Sequence, residues 1–224
     1  MRAMILAAGR GQRMGDLTLT TPKPLLRVFD HYLIEYTFAS LKRAGITDIV
    51  INVSYLATQL MQALGDGRDF GVNITYSIEE TRLETGGGIV QALPLLGDQP
   101  FLVISSDIIC DFPLQTLASR LSHLAHLVLV DNPSFHPEGD FGLQQEMISM
   151  TATPRLTFAN IGIYHPDFFK DIAVGHFPLN RLLFKAIENN EVSGEYFQGL
   201  WFNVGTQQDL SALHIHSRET LPSI

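Results

Sequence analysis

The sequence predicts an α/β protein with a three-layer α/β/α architecture around a mainly parallel, mixed central sheet. In the first half, short apolar segments alternate with amphipathic ones across short connections, which is typical of parallel strands covered by helices on both faces. The composition agrees, because 46% hydrophobic and 17% charged residues describe a folded globular chain. At 224 residues, the chain is long enough for one well-packed α/β domain.

Four segments of the first half are predicted to be strands, because they are rich in Ile and Val or alternate in polarity. They are Arg2–Ala8, Asp48–Val53, Asn73–Ile78 and Phe101–Ser106. The helical patterns between them are Tyr32–Ala44, Tyr55–Leu64 and Gly86–Leu93. Ligands of such sheets bind beyond the carboxyl ends of the strands, where Gly9 and Asp107 fall.

The second half is predicted to be less regular and to end in a helix capped by Thr206. A strand at Leu127–Val130 precedes the turn-rich segment Asp131–Gly142, which leads into a hairpin. The later predicted elements are a strand at Leu156–Tyr164, a helix at Leu179–Asn189, a strand pair around Gly199 within Glu195–Val204, and the closing helix Thr206–His216. A boundary near residue 111 divides the single domain 1–224 into two lobes, 1–111 and 112–224.

The charge and cysteine content exclude several classes of function. A formal net charge of −8 argues against sequence-independent binding of nucleic acid, which needs a basic face. The single cysteine, Cys110, excludes an intrachain disulfide and a thiolate metal cluster. The first apolar run is too short for a secretory signal, and no stretch approaches the roughly 20 apolar residues of a membrane span. We therefore expect a cytoplasmic protein.

A phosphate-binding cradle is predicted directly after the first strand. Gly9 and Gly11 let backbone N–H groups approach an anion, and Arg13 and Lys23 add two positive charges beside them. Two known phosphate-binding motifs do not fit this segment. A dinucleotide fingerprint needs a small residue where Met14 stands, and a Walker A loop needs Gly-Lys-Ser/Thr, which is absent.

The opening motif resembles the signature of the sugar-1-phosphate nucleotidyltransferases. The matching strings are Leu6-Ala7-Ala8-Gly9-x-Gly11-x-Arg13-Met14 and Pro22-Lys23-Pro24-Leu25. The resemblance extends over nearly the whole chain and implies the nucleotide-diphospho-sugar transferase (GT-A/Rossmann-like) fold. Such enzymes join an NTP to a sugar-1-phosphate and release pyrophosphate, so residues 1–111 would form the nucleotide-binding lobe and residues 112–224 the sugar-binding lobe.

The resemblance also implies roles for individual residues. Nucleotidyl transfer depends mainly on positioning and electrostatic stabilisation. By family position, Arg13 binds the leaving pyrophosphate and Lys23 the α-phosphate, and both are predicted to be catalytic. The nucleotide contacts implied by the same motif are Leu6, Ala7, Ala8, Gly9 and Gly11.

Two further positions imply a Mg²⁺ cofactor. Asp107 follows a buried strand and matches the family's metal-binding Asp, which shares Mg²⁺ with phosphates. Asn203 lies in the segment 201–206, where the family form W-x-D-V-G-T has a second Asp. A carboxamide oxygen can ligate Mg²⁺, but it contributes no charge. A catalytically impaired nucleotide-sugar-binding protein therefore stays an alternative.

Base selection is predicted in the segment 79–88, which matches the family form E/Q-x-x-x-L-G-T-G/A-G. By that match, nucleotide contacts are implied at Glu79, Glu84, Thr85 and Gly86, with the amides at the start of a helix close to the nucleotide. Glu84 replaces the usual Gly. A glutamate at position 79 accepts hydrogen bonds, so it also suits the donor edge of guanine.

The strings at 83–89, 126–133 and 139–141 resemble one branch of the family, the N-acetylmuramate-1-phosphate uridylyltransferases of bacterial cell-wall recycling. This branch implies UTP as the favoured NTP and N-acetylmuramate-1-phosphate as the sugar-1-phosphate. A mannose- or heptose-1-phosphate guanylyltransferase is the alternative. Sugar contacts are implied at Gly139, Asp140 and Asn160. A structural role, as a polar side chain that hydrogen-bonds at the end of a strand, explains Asn160 equally well. We expect a monomer or small homo-oligomer without nucleic-acid or membrane partners.

Overall fold

The computed structural model describes residues 1–215 and 221–224. Its strands are β1 (Ala3–Leu6), β2 (Arg27–Val28), β3 (His31–Tyr32), β4 (Asp48–Val53), β5 (Asn73–Ile78), β6 (Phe101–Ser105), β7 (Ile108–Cys110), β8 (Ala125–Val130), β9 (Phe141–Gln144), β10 (Met147–Ser149), β11 (Arg155–Tyr164), β12 (Val192–Tyr196) and β13 (Trp201–Asn203). Its α-helices are α1 (Leu17–Thr20), α2 (Leu33–Arg43), α3 (Ala57–Leu64), α4 (Glu84–Leu96), α5 (Leu117–Arg120), α6 (Asn180–Glu188) and α7 (Gln207–Ile215). Within the described ranges, no helix has the length and apolar character needed to cross a membrane.

In this part of the chain, nine strands form one continuous sheet in the order β5-β4-β1-β6-β11-β8-β12-β10-β9. Strands β5, β4, β1 and β6 are parallel, so their carboxyl ends lie at one edge. Strand β11 is antiparallel to both β6 and β8, and β12 is again parallel to β8. The mainly parallel, mixed sheet predicted from the sequence is therefore confirmed.

Helices cover both faces of this sheet. On one face, Phe38 of α2 packs in a core that includes Ile5 of β1. On the other face, Ile89 of α4 and Leu183 of α6 pack in a core that includes Met4. Strand β1 is apolar throughout because its successive side chains enter opposite cores. These two helical layers and the sheet confirm the three-layer architecture.

The predicted strand pair around Gly199 is wrong in its pairing. Both strands are present, but β12 joins the large sheet beside β8, whereas β13 pairs with β7. Asp111 holds the chain between them, because its Oδ1 atom accepts a hydrogen bond from Leu200 N at 2.7 Å. A side chain at Gly199 would stand 2.6 Å from the same oxygen. The pairing of β13 with β7 brings Asn203 opposite Ile108, the residue after Asp107.

The C-terminal end of α4 differs from the prediction, whereas the N-terminal cap of α7 agrees with it. Helix α4 continues through Pro94 into its last turn, where the loss of one amide donor does not end the helix. The predicted cap of α7 is confirmed, because Thr206 Oγ1 accepts from Asp209 N at 3.2 Å and Asp209 Oδ2 accepts from Thr206 N at 2.8 Å. The predicted end of that helix at His216 lies outside the described residues.

His126 on β8 is a buried titratable group in the middle of the sheet. Its Nδ1 atom lies 2.9 Å from Ser193 Oγ, and its Nε2 atom lies 3.1 Å from Glu195 Oε1. Burial lowers the pKa of His126 below its ordinary value, although the hydrogen bond to the Glu195 carboxylate opposes this shift. The folded protein therefore favours the neutral imidazole.

We expect the free energy of unfolding to fall as the pH drops below about 6.5, because unfolded His126 then takes up a proton that folded His126 resists. This contribution is complete above the unfolded pKa and is lost as the pH falls toward the lower folded pKa. His126→Gln should reduce the dependence, measured by urea unfolding at about pH 7.5 and about pH 5.5. His123→Gln, at an exposed histidine, is the control. Equal losses in wild type and His126→Gln would contradict this assignment.

Candidate active site

A cleft of about 470 Å³ opens at the carboxyl ends of β1 and β6. Ligands of parallel α/β sheets bind at this edge. The cleft is lined by many of the predicted site residues: Leu6, Ala7, Ala8, Gly9, Gly11, Arg13, Lys23, Glu79, Glu84, Thr85 and Asp107. Eight further lining residues were not predicted to be site residues: Arg10, Gln12, Pro24, Asn52, Arg82, Ser105, Ser106 and Gly205.

The loop after β1 holds its backbone open to the cleft. Gly11 has a φ of 66°, the left-handed conformation that favours glycine, and a side chain there would stand 3.1 Å from Thr18 and 3.2 Å from Lys23. Gly11 O accepts hydrogen bonds from Met14 N at 2.8 Å and from Thr18 Oγ1 at 3.0 Å. A side chain at Gly9 would meet no atom of the described chain within 4 Å. The loop is therefore anchored on one side and leaves space for an anion on the other.

The cleft contains four positively charged side chains, although the whole chain is acidic. Its cationic lining consists of Arg10, Arg13, Lys23 and Arg82. The guanidinium of Arg13 lies against Gly205, where a side chain would stand 3.2 Å from its Nη2 atom. The carboxylates of Glu79, Glu84 and Asp107 also line the cleft, but Asp107 is paired with Lys23 and Glu84 with Arg82. Arg10 and Arg13 therefore supply most of the attraction for an anion. The arrangement suits a polyanion such as a triphosphate.

Lys23 and Asp107 form an ion pair within the cleft. Lys23 Nζ donates a hydrogen bond to Asp107 Oδ2, and the two side chains are only 11% and 19% exposed. Lys23 starts a short 3₁₀ turn between Pro22 and Pro24, and these prolines restrict its backbone. The sequence predicted a role for each of the two residues, and the structure adds that they touch.

Asn203 lies opposite Ile108, the residue after Asp107, and is not among the described residues that line the cleft. Its side chain provides a test of the predicted Mg²⁺ site. Val204 N donates to Asp107 O at 3.0 Å, which ties the end of β13 to the end of β6. Asn203 Oδ1 is buried and has no hydrogen-bond partner among the described residues. Such an oxygen is costly unless something satisfies it, and a hard cation would do so.

The donor set fits Mg²⁺ provided that the substrate completes it. Within the described residues, no group of three or more His, Cys, Asp or Glu side chains could hold a metal ion. Mg²⁺ commonly binds through one or two protein oxygens, with phosphates and waters filling the remaining positions. Asp107 and Asn203 would supply those two protein oxygens.

Glu79 lines the cleft, but its carboxylate is already engaged. Its Oε1 accepts from Asn52 Nδ2 at 2.7 Å and its Oε2 accepts from Leu83 N at 2.9 Å. Asn52 Oδ1 in turn accepts from Ala7 N at 2.8 Å, so one buried network ties the opening motif to the predicted base site. A side chain at Gly88 would stand 2.5 Å from Glu79 Oε1. A base contact by Glu79 stays a prediction, whereas its contact with the loop at Leu83 is part of the fold.

We expect Asn52→Ala to lower the free energy of unfolding by about 2–4 kcal/mol, because it leaves Ala7 N and Glu79 Oε1 buried without their partners. Urea unfolding monitored by circular dichroism measures the effect. Asn73→Ala is the matched control, since its Nδ2 donates to Asp48 Oδ1 on the exposed surface at 3.0 Å. Equal effects of the two substitutions would show that the network adds nothing to stability.

Helix α4 begins at Glu84 in a backbone conformation that favours glycine. Glu84 has a φ of 62°, a left-handed conformation that is costly for a side-chain-bearing residue. Its carboxylate pairs with Arg82 at 2.5 Å and lies 3.8 Å from His176 Nε2. Backbone strain of this kind is found at ligand sites, which agrees with a position in the cleft.

Gly86 is a predicted nucleotide contact that the structure places elsewhere. It is buried, and its amide donates to Phe177 O at 3.0 Å instead of facing the cleft. A side chain at Gly86 would stand 2.6 Å from the Phe177 ring. Gly86 is therefore explained by close packing of α4 against the segment before α6. Thr85 lines the cleft, and its Oγ1 accepts from Leu179 N at 2.8 Å.

Asn160 is the predicted sugar residue nearest to the cleft. It has a φ of 56° and lies at a β-bulge in β11, where the register with β8 shifts between Phe158 and Gly162. It lines a small cavity of about 50 Å³ that shares Leu6 and Thr85 with the large cleft. A bulge commonly redirects a side chain beside a functional site.

Gly139 and Asp140 are not among the described residues that line the cleft or the small cavity. Asp140 Oδ2 accepts from Phe158 N at 2.8 Å, and its Oδ1 lies 3.1 Å from His136 Nε2. A side chain at Gly139 would stand 2.8 Å from Asn132 Oδ1. Both residues therefore secure the turn before β9, and Asp140 supports the strand that carries Asn160. A direct sugar contact by either residue stays a prediction.

The fold and this site define the class of protein. Residues 2–219 match the family model described as nucleotidyl transferase, so the chain belongs to the nucleotidyl transferase family. The family predicted from the opening motif is confirmed.

Two relatives are similar to the chain over most of its length. The chain is 49% identical, over 92% of its length and 94% of the relative, to an N-acetylmuramate alpha-1-phosphate uridylyltransferase of Neisseria meningitidis serogroup B. It is 31% identical, over 99% of its length and 68% of the relative, to a mannose-1-phosphate guanyltransferase of Schizosaccharomyces pombe.

Solved structures confirm the fold. A protein assigned as a glucose-1-phosphate thymidylyltransferase of Bacillus anthracis, solved with sucrose, superposes with a TM-score of 0.86 at 20% identity, covering 100% of this chain and 98% of its own. HddC from Yersinia pseudotuberculosis, solved with GMP-PN, superposes with a TM-score of 0.78 at 19% identity, covering 95% and 97%.

Proposed function

We propose that this nucleotidyl transferase uses UTP and N-acetylmuramate-1-phosphate, giving UDP-N-acetylmuramate and pyrophosphate. The observation that carries the proposal is the cleft in which Arg13 and the Lys23–Asp107 pair lie beside an open glycine loop. The 49% identity to the Neisseria uridylyltransferase, against 31% to a guanyltransferase, supports the choice of substrates. The alternative is guanylyl transfer to mannose- or heptose-1-phosphate.

The proposed reaction needs little covalent chemistry from the protein. An oxygen of the sugar phosphate attacks the α-phosphorus of UTP, and the bond from that phosphorus to the pyrophosphate oxygen breaks. Lys23 would stabilise the charge that grows on the α-phosphate. The forked guanidinium of Arg13 would bind the leaving pyrophosphate through two N–H groups. Residues 1–111 would supply most nucleotide contacts, and residues 112–224 the sugar contacts.

We also propose Mg²⁺ as the cofactor, held by Asp107 and Asn203. When bound there, Mg²⁺ would neutralise charge on the phosphate oxygens. Support comes from the unpartnered Oδ1 atom of Asn203 and its position next to the Asp107 backbone. The proposed role is the recycling of a cell-wall sugar in the cytoplasm, where UTP is available, by a monomer or small homo-oligomer.

The substrate proposal is tested by pyrophosphate release. The purified protein is incubated with Mg²⁺, N-acetylmuramate-1-phosphate and each of UTP, GTP, CTP and ATP in turn. We expect release with UTP. The matched alternative is GTP with mannose-1-phosphate, and turnover with that pair but not with UTP would replace the substrates while leaving the class unchanged.

The Asn at position 203, in place of a second Asp, supports a second candidate function. In this alternative the protein binds a nucleotide sugar but is impaired in catalysis. Asn203→Asp adds a negative charge to the proposed metal site, so we expect the half-saturating Mg²⁺ concentration to fall by about tenfold. Asn189→Asp, at an exposed position after α6, is the control. An inert wild type together with an active Asn203→Asp variant would favour the binding protein. Comparable turnover in both would exclude it.

A further inference from the structure

The small cavity beside the cleft has the features of a substrate subsite. Its volume is about 50 Å³, and its walls include the apolar side chains of Leu6, Val103 and Leu179. Thr85 and Asn160 lie at its border, and Leu6 and Thr85 also line the cleft. A ligand in the cleft could therefore extend one small substituent into the cavity.

Tyr164 also lines this cavity and has a buried hydroxyl group. The residue is 0% exposed, and its Oη atom is buried without a hydrogen-bond partner among the described residues. A side chain at Gly162 would stand 3.1 Å from that oxygen, so the hydroxyl lies directly over the glycine. A buried hydroxyl without a partner is uncommon in folded proteins and calls for an explanation. Burial raises the pKa of Tyr164, so its hydroxyl is a hydrogen-bond donor at neutral pH.

The rest of the lining selects a neutral group. Within the described part of the chain, no Lys, Arg, Asp or Glu side chain lines the cavity. Thr85 Oγ1 already accepts from Leu179 N at 2.8 Å, which leaves its own proton to donate. Asn160 is held at the border in a left-handed conformation at the β-bulge of β11, and bulges commonly redirect a side chain beside a functional site. The cavity thus offers neutral hydrogen-bonding groups within apolar walls, namely the Thr85 and Tyr164 hydroxyls and the Asn160 and Asn180 carboxamides.

We propose that this cavity receives the acyl part of an N-acylated sugar-1-phosphate. Tyr164 Oη donates to the acyl carbonyl oxygen, and the acyl methyl group packs against Val103 and Leu179. An acetyl group matches the cavity because it is small, uncharged, apolar at one end and an acceptor at the other. This inference rests on the proposed function and adds the group by which the site recognises its sugar. Water is the competing occupant, since it would also satisfy the Tyr164 hydroxyl.

The first test compares two sugar substrates in wild type and Tyr164→Phe. One is N-acetylmuramate-1-phosphate, and the other is the same compound with hydroxyl in place of the 2-acetamido group, each assayed with UTP and Mg²⁺. We expect kcat/KM to fall by about 10-fold for the N-acetylated substrate only, the usual effect of losing one neutral hydrogen bond. Tyr76→Phe is the control, since its hydroxyl donates to Gly65 O at 2.7 Å on the exposed surface.

The second test measures the size limit of the cavity. Wild type should prefer the N-acetyl to the N-propionyl substrate by about 10-fold, and Val103→Ala should reduce that preference because it enlarges the cavity. Val50→Ala is the matched control, since Val50 packs in the same core on β4 but is not among the described residues that line the cavity. Thermal unfolding of each variant shows that it is folded.

The outcomes separate the two proposals. Absence of pyrophosphate release with UTP, Mg²⁺ and N-acetylmuramate-1-phosphate refutes the proposed function, and the acyl subsite with it. Turnover in which Tyr164→Phe lowers kcat/KM equally for both substrates, or leaves both unchanged, refutes only the subsite and assigns the cavity to water. An unchanged acyl-size preference in Val103→Ala also overturns the inference.

Discussion

Lys23→Ala should lower kcat/KM for nucleotidyl transfer by about 10²–10³-fold. Its ammonium group lies inside the cleft, only 11% exposed, where a charge stabilises a developing anion more than it would in bulk water. The α-phosphate gains its charge in the transition state, so the loss should appear mainly in kcat. Steady-state pyrophosphate release at saturating Mg²⁺ measures it.

Two variants control for this prediction. Lys185→Ala removes an exposed lysine on α6 and should leave the rate unchanged. Lys23→Arg keeps the positive charge but replaces a compact ammonium group with a larger, planar guanidinium group, so we expect only partial activity. Lys23→Ala also leaves Asp107 without its partner, which we expect to lower stability by about 1–3 kcal/mol. Activity near that of wild type in Lys23→Ala would contradict a role at the α-phosphate.

The architecture could be predicted because it follows from local patterns. Strands β4 and β5 coincide with their predicted bounds, since a run of β-branched and alternating residues is a local signal. The pairing of β13 with β7 is not local, because Asp111 fixes a segment 89 residues further along the chain. The hydrophobic pattern of a sequence does not indicate contacts between distant segments, and the sequence alone therefore suggested a simple hairpin.

Site residues that belong to a continuous sequence motif could be predicted. Site residues that are brought into the cleft by the fold, from distant parts of the chain, could not. Arg13 and Lys23 are part of a continuous signature, and both line the cleft. Asn52 was missed because its partners Ala7 and Glu79 lie 45 and 27 residues away. The only local signal was a polar side chain inside a buried strand. Gly86 is the opposite case, since tertiary packing against Phe177 accounts for a glycine that the motif assigned to the ligand.

The Lys23–Asp107 contact links the two halves of the proposed mechanism. If Asp107 binds Mg²⁺, the ammonium of Lys23 competes with the cation for the same Oδ2 atom. Removal of Lys23 should then lower the half-saturating Mg²⁺ concentration even while it lowers kcat. A purely structural ion pair would produce no such opposite changes, so Mg²⁺ titration of Lys23→Ala separates the two roles.

Asp107→Asn should lower kcat/KM by at least about 10²-fold and raise the half-saturating Mg²⁺ concentration, which is the reverse of the Mg²⁺ effect expected for Lys23→Ala. The substitution preserves shape and the backbone bond from Val204 N, but it removes the one carboxylate of the proposed metal site. Loss of charge stabilisation worth several kcal/mol corresponds to a rate effect of this size. Asp48→Asn, at an exposed aspartate, is the control. An Asp107→Asn variant with lowered activity but unchanged Mg²⁺ dependence would show that Asp107 acts by positioning Lys23 and not by holding the metal.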